Sequence, residues 1–241
     1  MVLSLIVPTY NERENVEPLV TRIDTALQEF PHEVYFVDDS TDGTGEVVAA
    51  LARARPHVRL LQRSGTRGLA SAVLDGLGRV EGEIICVLDA DLQHPPETVP
   101  LLVETLDRAQ ADVVVASRYA VGGAYEGLSP LRRLASRVGT LMAQAALPRA
   151  RLSSDPLSGF FVFRRSVVEG VTLRPLGFKI LLEILVRGRL RRVAEVPYRF
   201  EARRAGRSKL SMRESWDYLR HLLRLVGAGR PPSHRDDPLA G

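Results

Sequence analysis

The chain has 241 residues, 45% hydrophobic and 26% charged, an ordinary globular balance that excludes a disordered chain and needs no metal or disulfide to fold. Its single cysteine, Cys86, excludes an internal disulfide framework. The formal charge of +4 hides an asymmetry: residues 1–126 hold 10 Arg against 20 Asp and Glu, net −10, and residues 127–241 hold 23 Arg and Lys against 9 acids, net +14. An acidic half joined to a basic half points to two electrostatic tasks rather than to a uniform nucleic-acid coat.

In chain order, Leu3–Val7 is a short apolar run ending at Pro8, and residues 14–30 carry Val16, Leu19, Val20, Ile23, Leu27 and Phe30 at helical spacing. Val34–Val37 predicts a second strand ending in Asp38 and Asp39. The turn-like stretch 40–45 leads into a helix over 46–53. Val58–Leu61 predicts a third strand, and residues 70–77 a third helix after Gly65 and Gly68. Ile84–Leu88 predicts a fourth strand ending in Asp89, and Pro95-Pro96 opens a helix, as proline does in a first turn. Val113–Ala116 is a fifth strand. The second half is less regular, with helices over 129–146, 178–186 and 212–226 and strands over 160–163 and 193–198. The Gly-, Pro- and charge-rich tail 227–241 is expected to be disordered. No apolar run reaches the ~18 residues of a membrane-spanning helix. The first residues have no basic leader, so no signal peptide is expected.

Repeated strand–helix–strand units imply an α/β fold, a Rossmann-like, mostly parallel sheet flanked by helices. Ligands of such sheets bind outside the carboxyl ends of the strands. Polar clusters fall there: Thr9–Glu12, Asp38-Asp39, Arg63–Arg67, Asp89–Gln93 and Ser117-Arg118. Asp89, Asp91 and Gln93, read as extended chain at i, i+2 and i+4, would turn two carboxylates and an amide oxygen to one side. These hard oxygen donors suit Mg²⁺ or Mn²⁺ bridging a diphosphate, against the plainer reading of an exposed acidic loop. Val37-Asp-Asp-Ser40 also occurs in phosphorylation receivers, but residues 1–178 contain no lysine to complete such a site. Asp38 and Asp39 are left either accepting bonds from a nucleotide base or ribose, or capping the helix that follows.

Pro8-Thr-Tyr-Asn-Glu-Arg-Glu-Asn15, Val37-Asp-Asp-Ser40 with Asp42-Gly-Thr44, and Asp89-Ala-Asp-Leu-Gln-His-Pro-Pro-Glu97 resemble the family 2 glycosyltransferases of GT-A fold. Ser117-Arg-Tyr119, Asp155-Pro156 with Ser158-Gly-Phe-Phe161, Gly177-Phe-Lys-Ile-Leu-Leu-Glu183, and Arg203-x-x-Gly206-x-Ser208-Lys209 narrow the resemblance to dolichol- or polyprenol-phosphate mannose synthases, over residues 3–225. The resemblance implies one catalytic domain over 1–226, with a nucleotide and metal half (1–126) and an acceptor half (127–226). It implies transfer of mannose, with inversion, from GDP-mannose to a polyprenyl or dolichyl monophosphate. Two alternatives stay open: glucosyl transfer from UDP-glucose, and a nucleotide-sugar-binding subunit without catalysis. By resemblance, Pro8, Tyr10, Glu12, Val37, Asp39 and Asp89 line the nucleotide pocket, and Asp89, Asp91 and Gln93 hold Mg²⁺ or Mn²⁺. Arg118, Arg132, Ser136, Lys179, Arg203 and Lys209 meet the lipid phosphate or the diphosphate, with Asp91, Arg118 and Arg132 named as catalytic.

A lipid phosphate is already anionic near neutral pH, with a second pKa of about 6. The reaction therefore needs orientation and charge balance more than a general base. The helix over 212–226 has an apolar stripe with Arg213, Arg220, His221 and Arg224 between, the pattern of a basic amphipathic helix on an anionic membrane. The chain is similar to short relatives that meet the cytoplasmic face of a membrane peripherally or through a partner protein.

Overall fold

The computed structural model describes residues 2–64, 68–126, 129–202 and 212–227, the side chains of 212–215 excepted. Arg203, Lys209, Arg213 and the tail 228–241 thus lie outside the described residues or side chains. Among those described, seven strands form one sheet in the order β3-β2-β1-β4-β7-β5-β8. The strands are β1 (Leu3–Thr9), β2 (His32–Asp38), β3 (Val58–Gln62), β4 (Ile84–Val87), β5 (Val113–Ser117), β7 (Phe161–Arg164) and β8 (Val193–Pro197). Only β7 runs antiparallel to its neighbours β4 and β5. β7 and β8 come from the basic half and complete a sheet begun by the acidic half. A second, two-stranded pair, β6 (Ala124–Tyr125) with β9 (Arg199–Phe200), is too short to show in the sequence.

The strands read as continuous apolar runs because both faces of the sheet are covered. Side chains alternate between two cores. Leu5, Val7, Cys86, Leu88, Val114, Ala116 and Val162 enter one, with Val16, Leu19 and Ile23 of α1 (Arg13–Ala26) and Leu102 and Leu106 of α4 (Val99–Arg108). Ile6, Ile85, Val87, Val113, Val115, Phe161 and Phe163 enter the other, with Val73 of α3 (Leu69–Leu77) and Ile184 of α6 (Ile180–Arg187). Between α1 and α3, α2 (Thr44–Ala54) connects β2 to β3. A third, smaller core joins Ala143 of α5 (Pro130–Ala146), Leu182 and Val186 of α6, and Leu222 and Leu225 of α7 (Met212–Gly227). No helix among the described residues is long and apolar enough to cross a membrane.

Candidate active site

The strand order reverses direction between β1 and β4, since β1 is followed on one side by β2 and β3 and on the other by β4. At such a switch point the loops after two adjacent parallel strands splay to opposite faces and leave a crevice. Here the crevice lies between Thr9–Glu12 and Asp89–Gln93.

On the β1–β2 side a hydrogen-bond lattice fixes the loops. Thr9 Oγ1 donates to Asp38 Oδ1 (2.8 Å), Asn11 N to Ser40 Oγ (2.7 Å), Thr41 N to Asn11 Oδ1 (3.0 Å) and Glu12 N to Thr44 Oγ1 (3.1 Å). Asn11 takes a left-handed φ of 56°, a conformation its short polar side chain tolerates. The α2 N-terminus is served by Asp42, whose Oδ1 accepts from Thr44 N (3.0 Å); Asp38 does not cap it. Hydrogen bonds from Thr44 outweigh partial burial and hold the Asp42 carboxyl below its ordinary range. Asp39 is gripped at both oxygens by Arg63, through Nε to Oδ1 at 2.9 Å and through Nη2 to Oδ2. Arg63 also reaches Asp75 (2.9 Å). Tyr10 is exposed and Glu12 buried, whereas Pro8 and Val37 are buried with side chains in the floor beneath the loops.

The acidic triplet departs from its expected shape. β4 ends at Val87, and residues 90–92 form a turn rather than extended chain. Leu92, a buried γ-branched residue, holds φ at 62°. Such strain persists only where the surroundings over-determine it and clusters at ligand clamps. Asp91 Oδ1 accepts from Gln93 N (3.1 Å), and Gln93 Nε2 donates to Glu201 O (3.0 Å). Asp89 Oδ2 lies 3.3 Å from His94 Nε2, and His94 Nδ1 lies 3.1 Å from the Tyr198 hydroxyl. A phenol that donates to Nδ1 leaves Nε2–H to donate to Asp89. His94 is itself buried among Phe160, Tyr198 and Phe200. The other oxygen, Asp89 Oδ1, is buried and has no hydrogen-bond partner. A buried carboxylate oxygen without a donor is costly, and a divalent cation would satisfy it. The triplet therefore fits such a cation. Gly159 keeps the space: a Cβ there would lie 3.0 Å from Asp89 Oδ2.

On the basic side, Arg118 is not presented to a ligand as expected. Its Nε and Nη2 donate to Asp155 Oδ2 and Oδ1 (both 2.7 Å), and its backbone N also donates to Asp155 (3.1 Å). Tyr119, Tyr125 and Phe200 surround the guanidinium. Burial opposes its charge, but Asp155 more than compensates and raises its pKa. The planar fork that would grip a phosphate grips Asp155 instead. The cations that approach this region from α5 are others: Arg137 stacks over Tyr119 at 4.8 Å, and Arg133 over Tyr125 at 5.7 Å with Nη2 to Tyr125 O at 3.3 Å. Ser136, on the same face, accepts from the Tyr119 hydroxyl (3.0 Å). Arg132 is exposed on α5. Lys179 donates to Leu157 O (3.0 Å), two residues before the Gly159 that adjoins Asp89.

Sequence reasoning left His94, Tyr198, Asp155, Arg133 and Arg137 without roles. His94 and Asp155 stood inside quoted motifs, but their partners are 104 and 37 residues away. Also unassigned was the face α5 leaves open. Leu131, Leu134, Val138 and Leu141 are exposed, and Tyr218 of α7 donates to Gly139 O (2.6 Å), placing α7 alongside. α7 adds exposed Trp216, Leu223 and Val226, while His221, Leu222 and Leu225 turn inward.

Residues 4–172 match the family model described as Glycosyl transferase family 2. A dolichol-phosphate mannosyltransferase of Pyrococcus furiosus is 46% identical over 94% of this chain, which spans 64% of that protein's length. A dolichol-phosphate mannosyltransferase of Saccharomyces cerevisiae is 40% identical over 92% of this chain and 86% of that protein. Among solved structures, glucosyl-3-phosphoglycerate synthase from Mycobacterium tuberculosis, in complex with Mn²⁺, UDP-glucose and phosphoglyceric acid, aligns with a TM-score of 0.71 over 96% of this chain and 81% of that one. At 21% identity that likeness carries the fold, a GT-A fold, and nothing further.

Proposed function

Since the chain belongs to glycosyl transferase family 2, we propose that it moves mannose from GDP-mannose to a polyprenyl or dolichyl monophosphate with inversion. The observation that carries this reading furthest is the buried, unpartnered Oδ1 of Asp89 at the sheet's switch point. Asp89, Asp91 and Gln93 would hold Mg²⁺ or Mn²⁺ there. Held there, such an ion would supply positive charge to offset that of a departing diphosphate. Tyr10 and Glu12 flank the base, and Asp39, set by Arg63, accepts from the ribose. The names of the two relatives support the sugar and the acceptor.

The acceptor oxygen is already a nucleophile, so the protein's task is to hold it on the face of the anomeric carbon opposite the diphosphate. Arg132, Arg133 and Arg137 of α5 and Lys179 supply that positive field. Ser136 and Tyr119 fix the helix face that carries it. Arg118 acts indirectly: its ion pair with Asp155 and its aromatic surround lock Tyr119 and Tyr125, on which Arg137 and Arg133 lie. By the family resemblance, Arg203 and Lys209 would also meet the acceptor phosphate.

The acceptor's tail asks for a membrane, and the open faces of α5 and α7 fit one. Leu131, Leu134, Val138 and Leu141 with Trp216, Leu223 and Val226 form apolar stripes beside Arg132, Arg220 and Arg224. Amphipathic helices with this pattern bury a few ångströms into an anionic interface. The protein works peripherally at the cytoplasmic face of a membrane.

The test offers labelled GDP-mannose and UDP-glucose separately to the full chain with a polyprenyl phosphate, with and without Mn²⁺. Lipid-linked product from GDP-mannose, lost on chelation, supports the proposal. Product from UDP-glucose alone reassigns the sugar. No product from either donor, with nucleotide still bound, makes the chain a binding subunit.

A further inference from the structure

At the end of the sheet away from the crevice, three side chains from three successive segments converge. Asp24 lies in the last turns of α1, His32 opens β2, and His57 immediately precedes β3. One ligand atom from each lies within 4.8 Å of the other two. Parallel pairing of β2 and β3, with Val34 N donating to His57 O (2.8 Å), sets the imidazoles together, and their centroids are 4.9 Å apart.

The protonation pattern is legible. His32 Nδ1 lies 2.8 Å from Phe30 O, and a carbonyl can only accept, so Nδ1 is the donor and, in the neutral ring, Nε2 carries the lone pair. That Nε2 is buried and has no hydrogen-bond partner. Giving one ring N–H to a backbone carbonyl is how metal-ligating histidines are oriented. Asp24 is prepared in the same way. Arg55 Nε holds Oδ2 at 3.1 Å, while Oδ1 lies 2.8 Å from His57 Nε2. Asp24 and His57 are each about 30% exposed, which leaves a path for an ion.

We propose that Asp24, His32 and His57 form a second metal site, for Zn²⁺, with water as fourth ligand. Two imidazoles and one carboxylate oxygen are a zinc donor set, and too nitrogen-rich for Mg²⁺ or Ca²⁺. Arg55 offsets the carboxylate charge, which weakens the site further for hard cations. The ion would clamp α1, β2 and β3 at the sheet's far end and stabilise the fold independently of the transfer reaction.

The experiment uses the full chain carrying Asp89→Ala and Asp91→Ala, so that the crevice triplet cannot report. Zn²⁺ is titrated against a chromophoric chelator, Co²⁺ is followed by its visible absorption, and the melting temperature is read with rising Zn²⁺. One Zn²⁺ per chain, a four-coordinate Co²⁺ spectrum and a Zn²⁺-dependent rise in melting temperature are expected. Adding His32→Ala or His57→Ala should weaken Zn²⁺ by ~100-fold or more and erase both signals. Should His32→Ala perturb folding, His57→Gln gives the same readout on a ring outside the β2 strand. Zn²⁺ binding that survives either histidine change, or that is absent in the Asp89→Ala, Asp91→Ala background, overturns the site.

Discussion

The acidic crevice and the basic helical layer are built by opposite means. Tyr10 apart, the crevice side chains are mostly buried or half-buried and hold one another: Thr9 with Asp38, Arg63 with Asp39, Tyr198 with His94 with Asp89. Arg132, Arg133 and Arg137 stand exposed on α5, whereas Arg118, just past the end of β5, is sunk into the protein and neutralised there by Asp155. A strand end fixes a ligand atom to the sheet's geometry, which a compact metal and diphosphate require. A helix surface offers charge over a wider area, which suits a phosphate whose lipid tail stays in another phase.

If the crevice is the rigid partner, Asp91→Ala should remove transfer almost wholly. A loss of at least ~100-fold is expected in labelled-donor assays, above what second-layer changes cost, with circular dichroism unchanged. Asp155→Ala should act through stability instead. It strands a buried guanidinium, and breaking such a pair costs about 3–5 kcal/mol, readable as a shifted urea midpoint. Replacing both partners by apolar residues, as in Arg118→Met with Asp155→Leu, should recover much of it; failure to recover would show that the pair does more than neutralise itself. His94→Ala tests the link between the aromatic cluster and the triplet. It should raise the Mn²⁺ concentration for half-activation by ~10–100-fold, and an unchanged value would detach His94 from the metal.

The helical layer has its own acid limit. Glu183 of α6 is buried; burial raises its pKa, but bonds from His221 Nε2 (2.9 Å) and Arg174 N (2.8 Å) and the Arg187 charge hold the carboxyl below its ordinary 4.5. A depressed carboxyl stabilises the fold above its unfolded-state value and loses that contribution as pH falls through the folded value. α7 should therefore loosen below about pH 4.5, seen as faster amide exchange at residues 218–225, and Glu183→Gln should flatten that dependence. The smallest effect expected is at the membrane. Arg132→Ala should lower partition onto anionic vesicles by roughly 5-fold, about 1 kcal/mol per surface cation, whereas Leu134→Glu should lower it even on neutral vesicles.

Much of this was legible in the chain. Ile84–Val87 and Val113–Val115 read as strands because every side chain on a doubly covered sheet is apolar, and Asp89, Asp91 and Gln93 read as oxygen donors because they follow such a strand. The left-handed turn at Leu92 was not legible, since a leucine carries no propensity for it and only its buried surroundings hold it there. Nor was the antiparallel direction of β7, which is decided by the neighbours it inserts between.

By itself the sequence determined the alternation of elements, the chemistry of the acidic triplet, the family and the charge of each half. These depend on residue type and short spacing, which a linear text preserves. The tertiary structure alone decided which charges are spent internally and which remain presented. Arg118 and Arg137 are the same residue type and both adjoin the Tyr119 ring, yet one is buried against Asp155 and the other lies over that ring from an exposed helix. The physical reason is that a charge's role depends on what lies within a few ångströms, and Arg118's partner lies 37 residues along the chain.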